Sequence, residues 1–183
     1  PFRGRWVCTQ GVDGEHTHRG QWRYAADFEV LGADGEVCAG QGKTLADYHC
    51  YRLPVLAPAD GTVVKLVDGV EDNDVGEVNL DDNWGNLVVL VHGPGVYSKV
   101  CHLSPGTLKV QEGQVVRRGD VLGLCGNSGR SAVPHIHFQI QPTGRVGSPT
   151  IPVELHDVVT EEPEDNGGEL RATTVPRRGD ELR

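Results

Sequence analysis

"NLVVLVHGPGVYSKVCHL", residues 86–103, decides the fold. Two runs rich in apolar and β-branched residues, 86–92 and 96–103, flank the turn signal "GPG" at 93–95. That pattern predicts an antiparallel hairpin. The same texture continues on both sides: "TVVKLV" (62–67), "VLGLCG" (121–126) and "HIHFQIQ" (135–141) read as further short strands. "SPG" at 104–106 and "GNSG" at 126–129 read as turns. No segment shows a long, capped 3.6-residue period, so the expected class is mostly β, an antiparallel sheet or sandwich with few short helices.

The chain has 183 residues, long enough for one domain with a core of its own. A formal net charge of −9 argues against a nucleic-acid partner, which wants a basic face. No apolar run approaches the roughly 20 residues that span a bilayer, so no transmembrane segment is expected in this chain. The chain opens at Pro1, shows no signal peptide and contains no methionine; a processed or excised domain of a longer parent is expected, with any targeting segment elsewhere. Residues 1–159 read as the folded domain. From about Thr160 the sequence turns charged, Pro/Gly-containing and poor in aromatics, and 160–183 is expected to be a flexible tail or linker.

Acidic residues gather at 68–82, "DGVEDNDVGEVNLDD", with no Lys or Arg among them. The spacing does not follow a calcium loop, and a solvated, mobile loop is expected. Of the five cysteines, Cys38 and Cys50 flank a short Gly-containing loop that a disulfide would close. Cys101 and Cys125 lie in apolar strand patterns, as small buried hydrophobes do. None forms a C-x-x-C pair, which argues against a cysteine zinc site or a thioredoxin-type motif.

In "PHIHFQIQ" (134–141) alternation puts His135 and His137 on one face and Ile136 and Phe138 on the other. The two imidazoles therefore face either solvent or something in a cleft. Asp27, inside "YAADFEV", interrupts an apolar run; it is a turn or cap residue, or a buried charge that needs a partner or a metal. His18 follows His16 in a polar loop, and His102 ends a strand just before a turn. Two imidazoles, one carboxylate and a water make a catalytic zinc shell, and two further histidines beside it can carry protons or stabilise an oxyanion.

The segments "HRGQWRYAADF", "LPVLAPADGTVV", "WGNLVVLVH", "CHLSPGTLKVQEGQVVRRGDVLG" and "GNSGRSAVPHIHFQI" resemble, in this order, the lysostaphin/LytM-type zinc endopeptidases that hydrolyse peptidoglycan. The resemblance covers roughly residues 14–141. It implies a duplicated-hybrid-motif-like antiparallel β fold and one zinc ion per chain. It implies His18, Asp27 and His137 as metal ligands, and His102 and His135 as the catalytic histidines that polarise water and stabilise the tetrahedral intermediate. It also implies a peptidoglycan or other peptide substrate and an extracytoplasmic location in the bacterial cell envelope, periplasmic or secreted. The gap from His18 to Asp27 is nine residues where many members have four, and a loop insertion at about 29–52 follows. Val100 stands where a tyrosine is common, and Gln139 where glutamate often follows H-x-H-F; these departures bear on substrate preference. His16 rivals His18 as ligand, but the spacing to "YAADF" and the following Gly20 favour His18. His49, His92 and His156 are read as non-catalytic, although His92 could face the cleft from the neighbouring strand.

Two other readings compete. A non-catalytic cell-wall-binding or amidase-activator module on the same fold would be expected to have lost a ligand or a catalytic histidine, and all five positions are intact. A biotinyl- or lipoyl-type carrier is suggested by "VQEGQVVRRGDVLG" but needs its lysine exposed in a tight turn, usually beside methionine, and Lys65 and Lys109 lie in strand-like contexts.

Overall fold

The computed structural model describes residues 1–152, 154–159, 171–174, 178–179 and 181–182. The strands are β1 (Trp6–Gln10), β2 (Ala26–Glu29), β3 (Pro54–Leu56), β4 (Gly61–Val67), β5 (Asn86–Gly93), β6 (Val96–Leu103), β7 (Val115–Val116), β8 (Val121–Leu124), β9 (Ile136–Gln141), β10 (Leu155–Val159), β11 (Arg171–Thr174) and β12 (Glu181–Leu182). Helix among the described residues is limited to single 3-10 turns at Gly20–Trp22 and Leu45–Asp47. Mostly antiparallel β is therefore the architecture.

Eight strands form one sheet in the order β12-β1-β2-β9-β6-β5-β4-β7, and every pairing in it is antiparallel. The hairpin expected at 86–103 is β5–β6, closed by the Pro94–Gly95 turn, with Val91 opposite Tyr97. β9, the H-x-H strand, lies between β2 and β6 and pairs Asp27 with His137 and Cys101 with His137. The central strands thus bring three distant sequence segments side by side.

Alternation splits this sheet into two unlike faces. One face contributes Phe28, Val63, Val88, Leu90, Val100, Ile136 and Phe138 to the main core, which Val55 and Leu122 of the β3–β8 ribbon and Trp6 of β1 complete. Each fully buried Leu, Ile or Phe contributes about 1.5–3 kcal/mol, so this face supplies most of the stability. The opposite face has a smaller apolar cluster around Leu87, Val89 and Cys101. Beside it run buried polar groups that satisfy one another: Gln139 Nε2 donates to Gln141 Oε1 at 2.8 Å, and Lys99 Nζ to the Val146 carbonyl at 2.8 Å. With the core secured on one side, the other side is free to hold polar chemistry.

None of the five cysteines is in a disulfide, so the bridge that could have closed the loop between Cys38 and Cys50 is absent. The Cys50 side chain turns into the core instead, where its thiol donates to the Pro134 carbonyl at 3.1 Å. Within the inserted region 29–52, a bridge between Cys38 and Tyr48 and a capping box at Thr44 and Asp47 organise the chain without a covalent link. Of the tail expected from 160, residues 160–170 lie outside the described residues; Arg171–Thr174 pairs with β10 and Glu181–Leu182 with β1.

Candidate metal centre and catalytic cleft

His18, Asp27 and His137 each offer one ligand atom, all within 4.8 Å of one another, and all three residues are buried. Their hydrogen bonds fix which atoms are offered. His18 Nδ1 donates to the Gly11 carbonyl (3.2 Å), so its Nε2 carries a lone pair. That atom lies 3.2 Å from Asp27 Oδ1 and has no hydrogen-bond partner. His137 Nε2 meets Gln139 Oε1 at 3.1 Å; the Gln139 amide nitrogen is spent on Gln141 and the Ser148 carbonyl, so its oxygen accepts and Nε2 donates. His137 Nδ1 therefore also presents a lone pair, 2.9 Å from the same Asp27 oxygen. The second carboxylate oxygen of Asp27 is occupied by Gln10 Nε2 at 2.8 Å. Three lone-pair atoms converge with no proton among them, an arrangement that a cation resolves.

Ionisation runs the same way. Burial pushes the His137 imidazole below its usual pKa against the pull of Asp27, which leaves it neutral at neutral pH. Burial would raise the Asp27 carboxyl, but His135, His137 and His18 around it outweigh burial and hold it well below the usual range. One carboxylate oxygen and two imidazole nitrogens form a donor set suited to zinc.

His135 and His102 stand beside this triad. His135 Nδ1 contacts the Val133 carbonyl at 2.9 Å and Ser131 Oγ at 3.1 Å, and its Nε2 lies 3.7 Å from Asp27 Oδ1. His102 Nδ1 donates to the Ser128 carbonyl at 2.8 Å, and its ring centroid is 4.8 Å from that of His135. Burial, followed by the neighbouring His135 and His137, holds the His102 pKa well below its usual value, so the ring is neutral at neutral pH.

His102 reaches the cleft by breaking the strand rule. Val100 pairs with Phe138 on the core face, and simple alternation would send His102 to that face too. Its φ of +64° lies in the left-handed region and turns the side chain to the other side, beside His135 and His137. Such a conformation costs a non-glycine residue about 1–2 kcal/mol, and it recurs where function over-determines the backbone.

The loop 126–131 that receives His102 is clamped from the acidic segment. Asp72 accepts from the Asn127 amide (2.7 Å), the Tyr51 hydroxyl and the Ser104 hydroxyl. Asn73 Nδ2 donates to the carbonyls of Asn127, Gly129 and Ser131 at 2.7–3.0 Å. Segment 68–82 is thus partly a fold-organising strap, where a solvated loop was expected. Gly85 and Gly129 let the two chains meet: both have positive φ, and a Cβ on Gly129 would lie 2.3 Å from the Gly85 nitrogen. Asn73→Asp, nearly isosteric, sets carboxylate oxygens against three carbonyls. It is expected to cost about 2–3 kcal/mol in urea unfolding, far more than a surface change.

The site opens into a cleft of about 610 Å³ whose lining includes Trp22, Trp84, Glu29 and Arg130 beside the five predicted residues. Sequence reasoning missed several of these. Trp84 lies 5.7 Å from the His137 ring, edge-on to Trp22, and its other face covers Lys99 Nζ at 3.0 Å from the ring centroid. Burial lowers the Lys99 pKa to about 8. The one available signal was an apparently misplaced lysine in "VYSKVCHL", alternating with core residues. His16, the rival ligand, is exposed on the cleft rim. His92 does not face the cleft; its nitrogens meet the Asp60 carbonyl and Ser98 Oγ, both at 2.7 Å. His49 does not line the cleft, and the His156 side chain lies outside the described residues.

The profile of peptidase family M23 matches residues 44–149, a span that includes His102, His135 and His137. Peptidoglycan DD-endopeptidase ShyA of Vibrio cholerae is 43% identical over 95 residues, covering 49% of this chain and 22% of that protein. An uncharacterised metalloprotease of Haemophilus influenzae is 36% identical over 96 residues, 52% of this chain and 18% of that one. The chain therefore spans about a fifth of the length of these relatives. Among solved structures, the catalytic domain of a mutant of the prophage-encoded M23 protein EnpA from Enterococcus faecalis superposes with a TM-score of 0.56 at 15% identity, covering 83% of this chain and 92% of that one; this likeness concerns the fold.

Proposed function

As the chain belongs to peptidase family M23, we propose that it is a zinc metalloendopeptidase that hydrolyses peptide bonds in peptidoglycan stem peptides or cross-bridges. The observation that carries this reading is the convergence of three proton-free acceptors, His18 Nε2, Asp27 Oδ1 and His137 Nδ1, in a buried corner of an open cleft. Zinc held there supplies a Lewis acid that acidifies water and polarises a scissile carbonyl.

This chain's own residues do the rest. Gln10 occupies one oxygen of Asp27 and directs the other to the metal position. The Gly11 carbonyl and Gln139 fix the ligand tautomers of His18 and His137. His102 and His135 each have Nδ1 tied to a backbone carbonyl, which leaves Nε2 to take a proton from water and return it as an N–H to the departing amine or the developing oxyanion. Trp22 and Trp84 give the groove an aromatic wall suited to an extended peptide. Such a substrate lies outside the cytoplasm, so the proposed place of action is the bacterial envelope.

The test is cleavage of purified muropeptides followed by chromatography and mass spectrometry. Activity is expected to vanish with a chelator and to return on adding one equivalent of zinc. Muropeptide binding that persists without any cleavage in zinc-loaded protein would favour the non-catalytic module instead.

A further inference from the structure

Among the described residues that line the cleft, Glu29 is the one acidic group that the metal centre does not use. It is 7% exposed, and its Oε2 is a buried oxygen without a hydrogen-bond partner. Thr9, whose hydroxyl donates to the Asp27 carbonyl at 3.5 Å, stands beside the carboxylate. Strand register gives its place. Glu29 follows Asp27 by two residues on β2 and so shares its face; one step beyond the Phe28–Ile136 pair, it stands beside His135. Trp84 lies at the opposite end: it covers Lys99, which pairs with Gln139, two residues along β9 from His137 in the other direction. The cleft therefore has an aromatic end and a carboxylate end, with the metal position between them.

A carboxylate buried without a full set of partners costs several kcal/mol, and a cation removes that penalty most completely. With Oε2 buried, the carboxylate meets the cleft through its other oxygen alone, which suits the single point of an ammonium better than the bidentate fork of a guanidinium. We propose that Glu29 is a specificity residue whose cleft-facing carboxylate receives a primary ammonium of the substrate peptide, on the His135 side of the scissile bond. The proposal rests on the hydrolase reading for the identity of the peptide, not for the existence of the site. The ammonium could belong to the side chain of a diamino residue or to a free N-terminus.

The experiment uses zinc-loaded wild type and Glu29→Gln with three versions of one lysine-containing cross-linked stem peptide: unmodified, acetylated on the side-chain amine, and acetylated on the N-terminus. Binding is read from tryptophan fluorescence in the first second after mixing, and kcat and KM from product release. One of the two acetylations is expected to raise Kd and KM about tenfold in wild type with little change in kcat, and so to identify the amine. Glu29→Gln, still holding its zinc, is expected to bind all three peptides alike. Equal binding of the three by wild type would overturn the proposal without recourse to the variant, and so would a preference that survives in Glu29→Gln. An amine preference in binding with no cleavage of any peptide would sink the hydrolase reading and leave the Glu29 site standing.

Discussion

Replacing His137 by alanine is expected to leave a folded chain without zinc, and wild-type protein purified without chelator is expected to hold one ion per chain. The expectation follows from the geometry of the donors. His137 Nδ1 and Asp27 Oδ1 lie 2.9 Å apart, and with His18 Nε2 they make the one three-residue metal cluster among the described residues. Structural zinc sites bind with about 10–16 kcal/mol shared over four ligands, so each ligand is worth roughly 3–4 kcal/mol. Loss of one should weaken zinc by about two to three orders of magnitude, enough to strip it during purification. The core behind His137 is built from the other face of β9, so secondary structure by circular dichroism should hardly change. Metal content by mass spectrometry decides the matter. Zinc retained at full stoichiometry in His137→Ala would place the metal elsewhere and remove the basis of the proposed mechanism.

His102→Asn is expected to do the reverse: zinc stays, and kcat falls by a factor of about 10²–10⁴, the usual contribution of a positioned acid–base group. Asparagine is the informative replacement. At a φ of +64° it tolerates the left-handed region, whereas alanine would keep the backbone cost and lose the side-chain hydrogen bond that holds the turn. The Ser128 carbonyl that now accepts from His102 Nδ1 can accept from an amide instead, so the loop should stay in place. Single-turnover cleavage with zinc measured in the same sample separates the two effects. A variant within tenfold of wild type would show that His102 is a structural neighbour of the reaction rather than a participant.

The β texture was legible because alternation and turn chemistry agree with the tertiary environment at nearly every strand. β5 and β6 fall where 86–92 and 96–103 were expected. The face of His135 and His137 was legible for the same reason. His18 and Asp27 lie outside residues 44–149, where the family profile matches; the resemblance over 14–141 named them with His137, and the pairing of β2 with β9 sets Asp27 opposite His137. What alternation could not reveal is the position where it fails. His102 belongs by period to the core face, and only its backbone torsion sends it to the cleft. Cys38 and Cys50 are suitably spaced in sequence, but spacing says nothing about direction, and Cys50 packs inward. The acidic run looked solvated because composition counts charges and not partners. Asp72 is matched by hydroxyls and an amide that arrive from three other segments.

That strap has a consequence for inheritance and engineering. Asn73 and the carbonyls of 127–131 are 54–58 residues apart in sequence yet form a single joint. Neither half carries a complete set of partners alone. A chimera that transplants the "GNSG" loop from a relative without the matching 68–82 segment would inherit a key without its lock, and the histidine resting on Ser128 would lose its support. The two segments should therefore be exchanged, lengthened or shuffled together, as one discontinuous cassette.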